Sequence, residues 1–221
     1  MYLLEKERFL NKLEQQLAAF IRGEMKTDLA HDFEHVLRVV KTAKGLCLHE
    51  NAVSEIVIPA AWLHDCFSFA KDHPDRRNGS KYAADKAVEF LRSISYPEQY
   101  FEGVHHAVAA HSFSADITPL TIEAQIVQDA DRLDALGAVG ISRCIQVSTA
   151  LHRPLYQADD PFCRLREPDD AQYTIDHFYK KLLLIADTVN TESAKVEARK
   201  RTLFMQDFLT QLKQEISLVD D

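Results

Sequence analysis

The sequence predicts an all-α protein, and two observations carry that prediction. Its 221 residues include only 6 glycines and 7 prolines, about half of what average frequencies of roughly 7% and 5% would give. Sheet-rich sandwiches, barrels and propellers need frequent turns, and turns depend on these residues. Apolar residues also recur at three- and four-residue steps along most of the chain, which is the helical period. We therefore expect helices joined by a few localised loops.

The helices follow in chain order from their apolar spacing and their breaks. An amphipathic first helix is predicted at 2–22, and a second helix begins near Asp32. Ser54 is predicted to cap a third helix, whose residues 56–63 are almost all apolar and are therefore expected to be buried. The remaining elements are helices at 81–94, 97–111, 126–147, 173–186 and 192–218, and a long loop or lid at 152–170.

Composition and charge narrow the function classes. The formal net charge is −8 without a basic stripe, so a nucleic-acid polymer is not an expected partner. No apolar run approaches the ~20 residues that span a bilayer, and early Glu and Lys residues interrupt any signal-peptide core. The 4 cysteines are widely spaced, as in a reduced protein. We expect one cytoplasmic domain, residues 1–221, that contacts no membrane and is a monomer or a homodimer.

Histidines and acids recur in apolar surroundings on three of these helices. His64-Asp65 follows VIPAAWL, His35 lies on the second helix, and Asp131 shares a helix face with Asp134 within IVQDADRLDALGAV. A buried ionised carboxylate must be paired, hydrogen-bonded or bound to a metal. For one motif alone, a capping or salt-bridged aspartate is the simpler interpretation. The three together favour a shared metal site.

Two imidazoles and two carboxylates form a nitrogen and oxygen ligand set without thiolate. Such a set suits one divalent metal ion among Mn, Mg, Fe, Co, Ni and Zn. A bound divalent ion lowers the pKa of its water towards neutrality and polarises a phosphoryl oxygen. The pattern therefore indicates hydrolytic chemistry.

The same pattern resembles a known family, the HD-domain superfamily of metal-dependent phosphohydrolases. The motifs that carry the resemblance are HDFEHVLRV at 31–39, AAWLHD at 60–65 and IVQDADRLDALGA at 126–138. The resemblance implies an HD-domain helical bundle with a metal site between its central helices. The motif core would span 30–143, with C-terminal helices at 170–218 packing on it.

The resemblance also implies roles for individual residues. The metal ligands would be His35, His64, Asp65 and Asp131, holding one divalent ion, with Mn or Mg favoured. Histidines on the helix after the HD pair bind a second metal in binuclear HD enzymes and contact substrate in mononuclear ones. We therefore predict catalytic roles for Asp65, which would help to orient the attacking water, and for His111 and His106. Ordinary packing is the alternative for the two histidines.

A basic loop follows the HD pair and contains Lys71, Arg76 and Arg77. Arginine recognises phosphate with two parallel hydrogen bonds, and lysine neutralises it as a point charge. We predict substrate contacts from Lys71 and Arg76, and from His31, which lies one helical turn before His35. A solvated loop and a surface histidine are the alternatives.

The predicted reaction is hydrolysis of a phosphate ester or phosphoanhydride in a small substrate, a nucleotide first. Resemblance to small bacterial HD proteins favours release of pyrophosphate from a nucleoside triphosphate. Nucleotidase-like and guanosine tetraphosphate activities are demoted because Ser68 and Phe69 stand where those branches carry acids. The absence of HDxGK and GYP motifs demotes the cyclic-dinucleotide phosphodiesterases. The alternatives are a binuclear-metal phosphodiesterase or iron oxygenase of the superfamily, and a non-catalytic helical sensor of nucleotides.

Overall fold

A computed structural model describes residues 11–24, 32–69 and 73–216. Within these residues the fold is all-α, as predicted, with nine α-helices and no strand. The helices are α1 (Lys12–Glu24), α2 (Phe33–His49), α3 (Ser54–Leu63), α4 (Gly79–Ser93), α5 (Phe101–His111), α6 (Ile122–Asp134), α7 (Gly137–Ala150), α8 (Asp176–Lys180) and α9 (Glu192–Ile216). No described helix combines the length and the apolar character that crossing a bilayer requires.

The chain divides into two compact units, Met1–Asp131 and Arg132–Asp221. In the first unit α2 packs on α3, and α5 packs on both α3 and α4. The expectation of a single domain stays a prediction. The three predicted ligand helices, α2, α3 and most of α6, belong to the first unit.

Helix α3 is buried because nearly every residue in it is apolar, as predicted. Trp62, Leu63 and Ala60 are fully buried. The predicted cap is wrong: Ser54 is the first helical residue, and Val53 precedes the helix without a side-chain cap. Instead, Glu123 accepts a hydrogen bond from the backbone N–H of Val53 at 3.1 Å, so a tertiary contact replaces the local one.

A buried carboxylate joins the first three helices. Glu14 of α1 is 3% exposed, accepts a hydrogen bond from the Trp62 indole N–H at 3.2 Å, and pairs with Lys44 of α2. A buried charge is tolerated when it is paired and hydrogen-bonded in this way. These contacts fix α3 against α1 and α2, and α3 leads directly into His64.

The predicted helix at 126–147 is wrong as one continuous element, because it is interrupted between α6 and α7. Gly137 has φ +70°, a left-handed conformation that glycine adopts without steric cost. A Cβ on Gly140 would lie 2.1 Å from the carbonyl oxygen of Ala135, so only glycine permits this close approach. The glycines after the last predicted ligand therefore end one helix and start another.

The segment 152–170 in the second unit contains no helix, as predicted, but it is extensively hydrogen-bonded. Arg166 makes two hydrogen bonds to the buried Asp176, of 2.5 Å and 2.8 Å. Asp160 accepts hydrogen bonds from two successive backbone N–H groups, and the N–H of Ile175 donates to Leu155 at 2.9 Å.

The predicted helix at 173–186 is divided into α8 and a 3-10 helix at Leu182–Thr188. Lys181 interrupts it with φ −140° and ψ −57°. The predicted last helix is confirmed as α9, which buries Ala194, Ala198 and Met205.

Candidate metal centre

His35 is placed by the start of α2. Asp32 caps this helix, and its carboxylate accepts a hydrogen bond from the backbone N–H of His35 at 2.8 Å. Capping of this kind fixes the first helical turn. The His35 side chain is only 1% exposed, and its Nε2 lies 3.3 Å from Nε2 of His64.

His64 and His111 lie at the ends of two different helices, and each is oriented by a hydrogen bond to the backbone carbonyl three residues earlier. Nδ1 of His64 lies 2.8 Å from the carbonyl oxygen of Ala61, and Nδ1 of His111 lies 2.6 Å from that of Val108. A carbonyl only accepts, so each Nδ1 carries a proton. When such a ring is neutral, its Nε2 keeps a lone pair. The rings cross edge to face with centroids 5.0 Å apart.

Two carboxylates complete the cluster. Oδ2 of Asp65 lies 3.5 Å from Nε2 of His64 and 3.6 Å from Nε2 of His35, while its Oδ1 lies 3.6 Å from Nε2 of His111. Oδ1 of Asp131 lies 3.3 Å from Nε2 of His35. Five of the predicted site residues, from α2, α3, α5 and α6 or the positions that follow them, therefore converge on one interior point.

The electrostatics favour the protonation states that a metal site needs. Burial lowers the pKa of His64, with only partial opposition from Asp65. Burial alone would raise the pKa of Asp131, but the hydrogen bond and charge of His35 hold it well below its usual range. Burial would lower the pKa of His111, but the Asp65 carboxylate raises it above the ordinary value. Neutral imidazole at His64 and ionised carboxylate at Asp131 are the forms that bind metals.

Two hydrogen bonds that the sequence did not predict hold the end of α5, where His111 lies. The Gln128 side chain of α6 donates to the carbonyl oxygen of Ala110 at 2.7 Å. The Ser80 hydroxyl of α4 donates to that of Ala109 at 2.8 Å. The spacing of Gln128, three residues before Asp131, is the signal that could have revealed it, since both lie on one face of α6.

A model of the HD domain matches residues 32–136. The uncharacterized protein YpgQ of Bacillus subtilis (strain 168) is 33% identical over 194 residues, which cover 86% of either chain. The chain belongs to the HD-domain superfamily. An HD-superfamily hydrolase of Bacillus thuringiensis has a similar crystal structure, with a TM-score of 0.71 and 31% identity over 93% of this chain and 98% of that one.

A second similar solved structure contains a bound nucleotide. The crystal structure of B. subtilis YpgQ in complex with ADP matches with a TM-score of 0.72 and 30% identity. The match covers 93% of this chain and 99% of that one. A relative of similar size and fold therefore binds a nucleoside diphosphate.

Membership of the HD-domain superfamily implies a divalent metal ion, and the residues present fit one. Ligand atoms of His35, His64 and Asp131 lie within 4.8 Å of one another. Ligand atoms at about 2.1 Å from a common ion lie roughly 3 to 3.5 Å apart. The observed separations of 3.3 Å between His35 and His64 and between His35 and Asp131 match that spacing. Two carboxylates balance the charge of a divalent ion.

The other four predicted site residues are His106, Arg76, His31 and Lys71. Nε2 of His106 accepts a hydrogen bond from the backbone N–H of Leu120 at 2.9 Å, which commits that nitrogen to the connection between α5 and α6. Arg76 is exposed at the start of a 3-10 helix. His31 and Lys71 lie outside the described residues. The roles predicted for these four residues stay predictions.

Proposed function

We propose that this HD-domain protein is a metal-dependent phosphohydrolase that acts on a nucleotide, and that it releases pyrophosphate from a nucleoside triphosphate. The proposal is carried by one observation, the convergence of four side chains. The nitrogen and oxygen atoms of His35, His64, Asp65 and Asp131 approach one another at distances of 3.3–3.6 Å. The hydrolase of B. thuringiensis supports the reaction class. The ADP complex of YpgQ supports the nucleotide.

In this proposal the metal ligands are His35, His64, Asp65 and Asp131. When bound, the ion supplies an acidified water and polarises a phosphoryl oxygen. The Nδ1 hydrogen bond of His64 to Ala61 fixes the ring, with Nε2 3.3 Å from that of His35, and would leave Nε2 free to hold the ion. This kind of support from a carbonyl is typical of metal-binding histidines.

Asp65 and His111 act together in the proposed reaction. The two oxygens of Asp65 face different partners, because Oδ2 lies beside His35 and His64 while Oδ1 lies beside His111. Asp65 therefore faces the protonated His111 across 3.6 Å and can orient the attacking water. A proton held at Nε2 of His111 stabilises negative charge that develops on the phosphoryl oxygens. Arg76, Lys71, His31 and His106 are proposed to contact the substrate.

A substrate screen tests this function. Purified protein is incubated with nucleoside mono-, di- and triphosphates and cyclic dinucleotides, each with Mn, Mg, Co or Ni, and the products are identified. We expect pyrophosphate and a nucleoside monophosphate from triphosphates, and loss of the activity in His64→Ala. The matched control is His105→Ala, since His105 pairs with Asp85 on the surface and its loss leaves turnover intact. Equal turnover in the wild type and His64→Ala contradicts the proposal.

The proximity of His111 to Asp65 favours a second candidate, a binuclear-metal phosphodiesterase or iron oxygenase. In that case His111 would be a ligand rather than a proton donor. Metal analysis separates the hydrolase from the binuclear enzyme. Two iron atoms per chain, lost when His111 is replaced, would overturn the assignment of a single metal ion.

A non-catalytic nucleotide sensor is the remaining candidate. It is favoured if Asp65→Ala loses metal but leaves turnover of every phosphate substrate unchanged.

A further inference from the structure

We propose that an aromatic cluster formed by Phe67, Phe69, His73 and Tyr82 is the subsite that stacks on the base of the nucleotide. This proposal rests on the proposed function. The aromatic cluster would bind the base, whereas the metal centre would act on the phosphates. The cluster lies in the first unit, between the HD pair and α4.

The rings of the aromatic cluster contact one another. Phe69 stacks parallel to His73, with centroids 4.2 Å apart and an interplanar angle of 8°. Phe67 and Tyr82 approach Phe69 edge to face at 4.9 Å and 5.4 Å. Parallel and edge-to-face contacts are the preferred aromatic geometries, so the cluster presents ordered ring surfaces.

Exposure separates this cluster from the aromatic residues of the core. Trp62 and Phe178 are fully buried, whereas Tyr82 is 51% exposed. Phe67, Phe69 and His73 are half-buried. A flat heterocycle stacks on exposed aromatic faces whatever the base, because every base has a π-face. The cluster therefore has the chemistry of a base platform that accepts different nucleotides.

The chain ties this cluster to the metal centre at both ends. Phe67 follows Asp65 by two residues, which limits their Cα separation to about 7 Å. The Cys66 thiol donates to the carbonyl oxygen of Ala83 at 3.3 Å, so the neighbour of Asp65 contacts the neighbour of Tyr82. The intervening 3-10 helix at Arg76–Asn78 packs against the one at Phe113–Ala115, two residues after His111.

Charge around the cluster complements phosphate. Arg76, Arg77 and Lys81 are exposed between the HD pair and the first turns of α4, and Asp75 is the one acid among residues 73–81. The whole chain has a net charge of −8, so this local excess of positive charge is against the general trend. Aromatic rings with adjacent cations are the combination that binds a base and its phosphates together.

The experiment compares substrates with and without a base. The variants Tyr82→Leu and Phe69→Leu keep apolar volume but remove stacking. We expect the ratio of kcat/KM for a nucleoside triphosphate to that for inorganic tripolyphosphate to fall about tenfold, mainly through KM, for all four bases. The matched control is Phe204→Leu on α9, because Phe204 is 52% exposed and lies outside the cluster.

Binding of ADP and of inorganic pyrophosphate, measured by calorimetry, separates this subsite from the proposed reaction. If triphosphates are hydrolysed and both variants keep the wild-type ratio, the subsite is wrong and the reaction stands. If no substrate is hydrolysed but both variants bind ADP about tenfold more weakly, with pyrophosphate binding as in wild type, the subsite stands and the reaction is wrong. A wild type that hydrolyses no nucleotide and binds no ADP overturns both.

Discussion

Half-buried aspartates of the first unit and buried aspartates of the second unit have different partners. In the first unit Asp65 and Asp131 lie within 3.6 Å of histidine nitrogens. In the second unit Asp134 pairs with Arg143 at 2.6 Å, and Asp176 pairs with an arginine at 2.5 Å. Arginine stays protonated and satisfies a carboxylate permanently. A neutral histidine keeps a lone pair for a metal, so we expect the partner of each carboxylate to separate the structural aspartates from those of the proposed metal site.

Helix α6 carries an aspartate of each kind, Asp131 and Asp134. Replacing each of them with asparagine gives the largest expected effect. Asp131→Asn should lower metal affinity and hydrolysis by more than about 100-fold, since changes outside the first ligands already cost 10- to 100-fold. Asp134→Asn should retain metal but lower the free energy of unfolding by about 1–3 kcal/mol, because it weakens a charged hydrogen bond to Arg143. Metal content and urea unfolding of both variants check this. Equal metal loss in the two variants would break the comparison.

Arg166 pairs with Asp176 in the second unit. Removing this arginine should lower the free energy of unfolding rather than the hydrolytic activity. Asp176 is fully buried, so Arg166→Met leaves an uncompensated charge and should cost about 3–5 kcal/mol of unfolding free energy. The double variant Arg166→Met/Asp176→Leu should recover much of that loss, because it removes the stranded charge. Urea denaturation measures both, and a double variant as unstable as the single one contradicts the argument.

The Arg166–Asp176 pair should also make the free energy of unfolding depend on pH. Burial would raise the pKa of Asp176, but the hydrogen bonds from Arg166 and from the backbone N–H of Asp169 hold it below its usual value. The pKa of an aspartate in an unfolded chain is about 3.9, so this stabilisation is fully present above that pH and is lost as the pH falls through the lower folded pKa. The wild type should therefore lose more unfolding free energy between pH 6 and 3 than Asp176→Asn. Parallel curves for the two proteins would show that Asp176 contributes nothing.

The smallest expected effect concerns a thiol beside the same carboxylate. Burial raises the pKa of Cys163 to about 11, and Asp176 adds to the increase through a hydrogen bond and its charge. Asp176→Asn should therefore increase the rate of Cys163 modification by a disulfide reagent at pH 8 several-fold, because more thiolate is present. Cys144 is buried in the same unit and is the internal control. If both thiols accelerate equally, local unfolding explains the change.

Much of the candidate site could be predicted because its ligands lie in motifs of local sequence. An apolar helix followed by His-Asp predicts burial, and the structure confirms the burial of His64 at 0% exposure. The pairing of Asp134 with Arg143 could not be predicted from its spacing, because Asp131 and Asp134 share a helix face. The next helix begins at Gly137 and carries Arg143, which pairs with Asp134. The close approach of Gly140 to the Ala135 carbonyl at this junction cannot be deduced from the spacing of apolar residues.

The sequence by itself determined the helical class, the apolar character of α3 and which histidines and aspartates could meet a metal. These properties follow from residue spacing and from the cost of burying charge, which are local. Only the tertiary structure decided that Glu123 caps α3, that Gln128 holds the end of α5 and that His106 binds the backbone of Leu120. Each of these contacts joins residues at least 14 positions apart, and folding alone brings such distant groups within hydrogen-bonding distance.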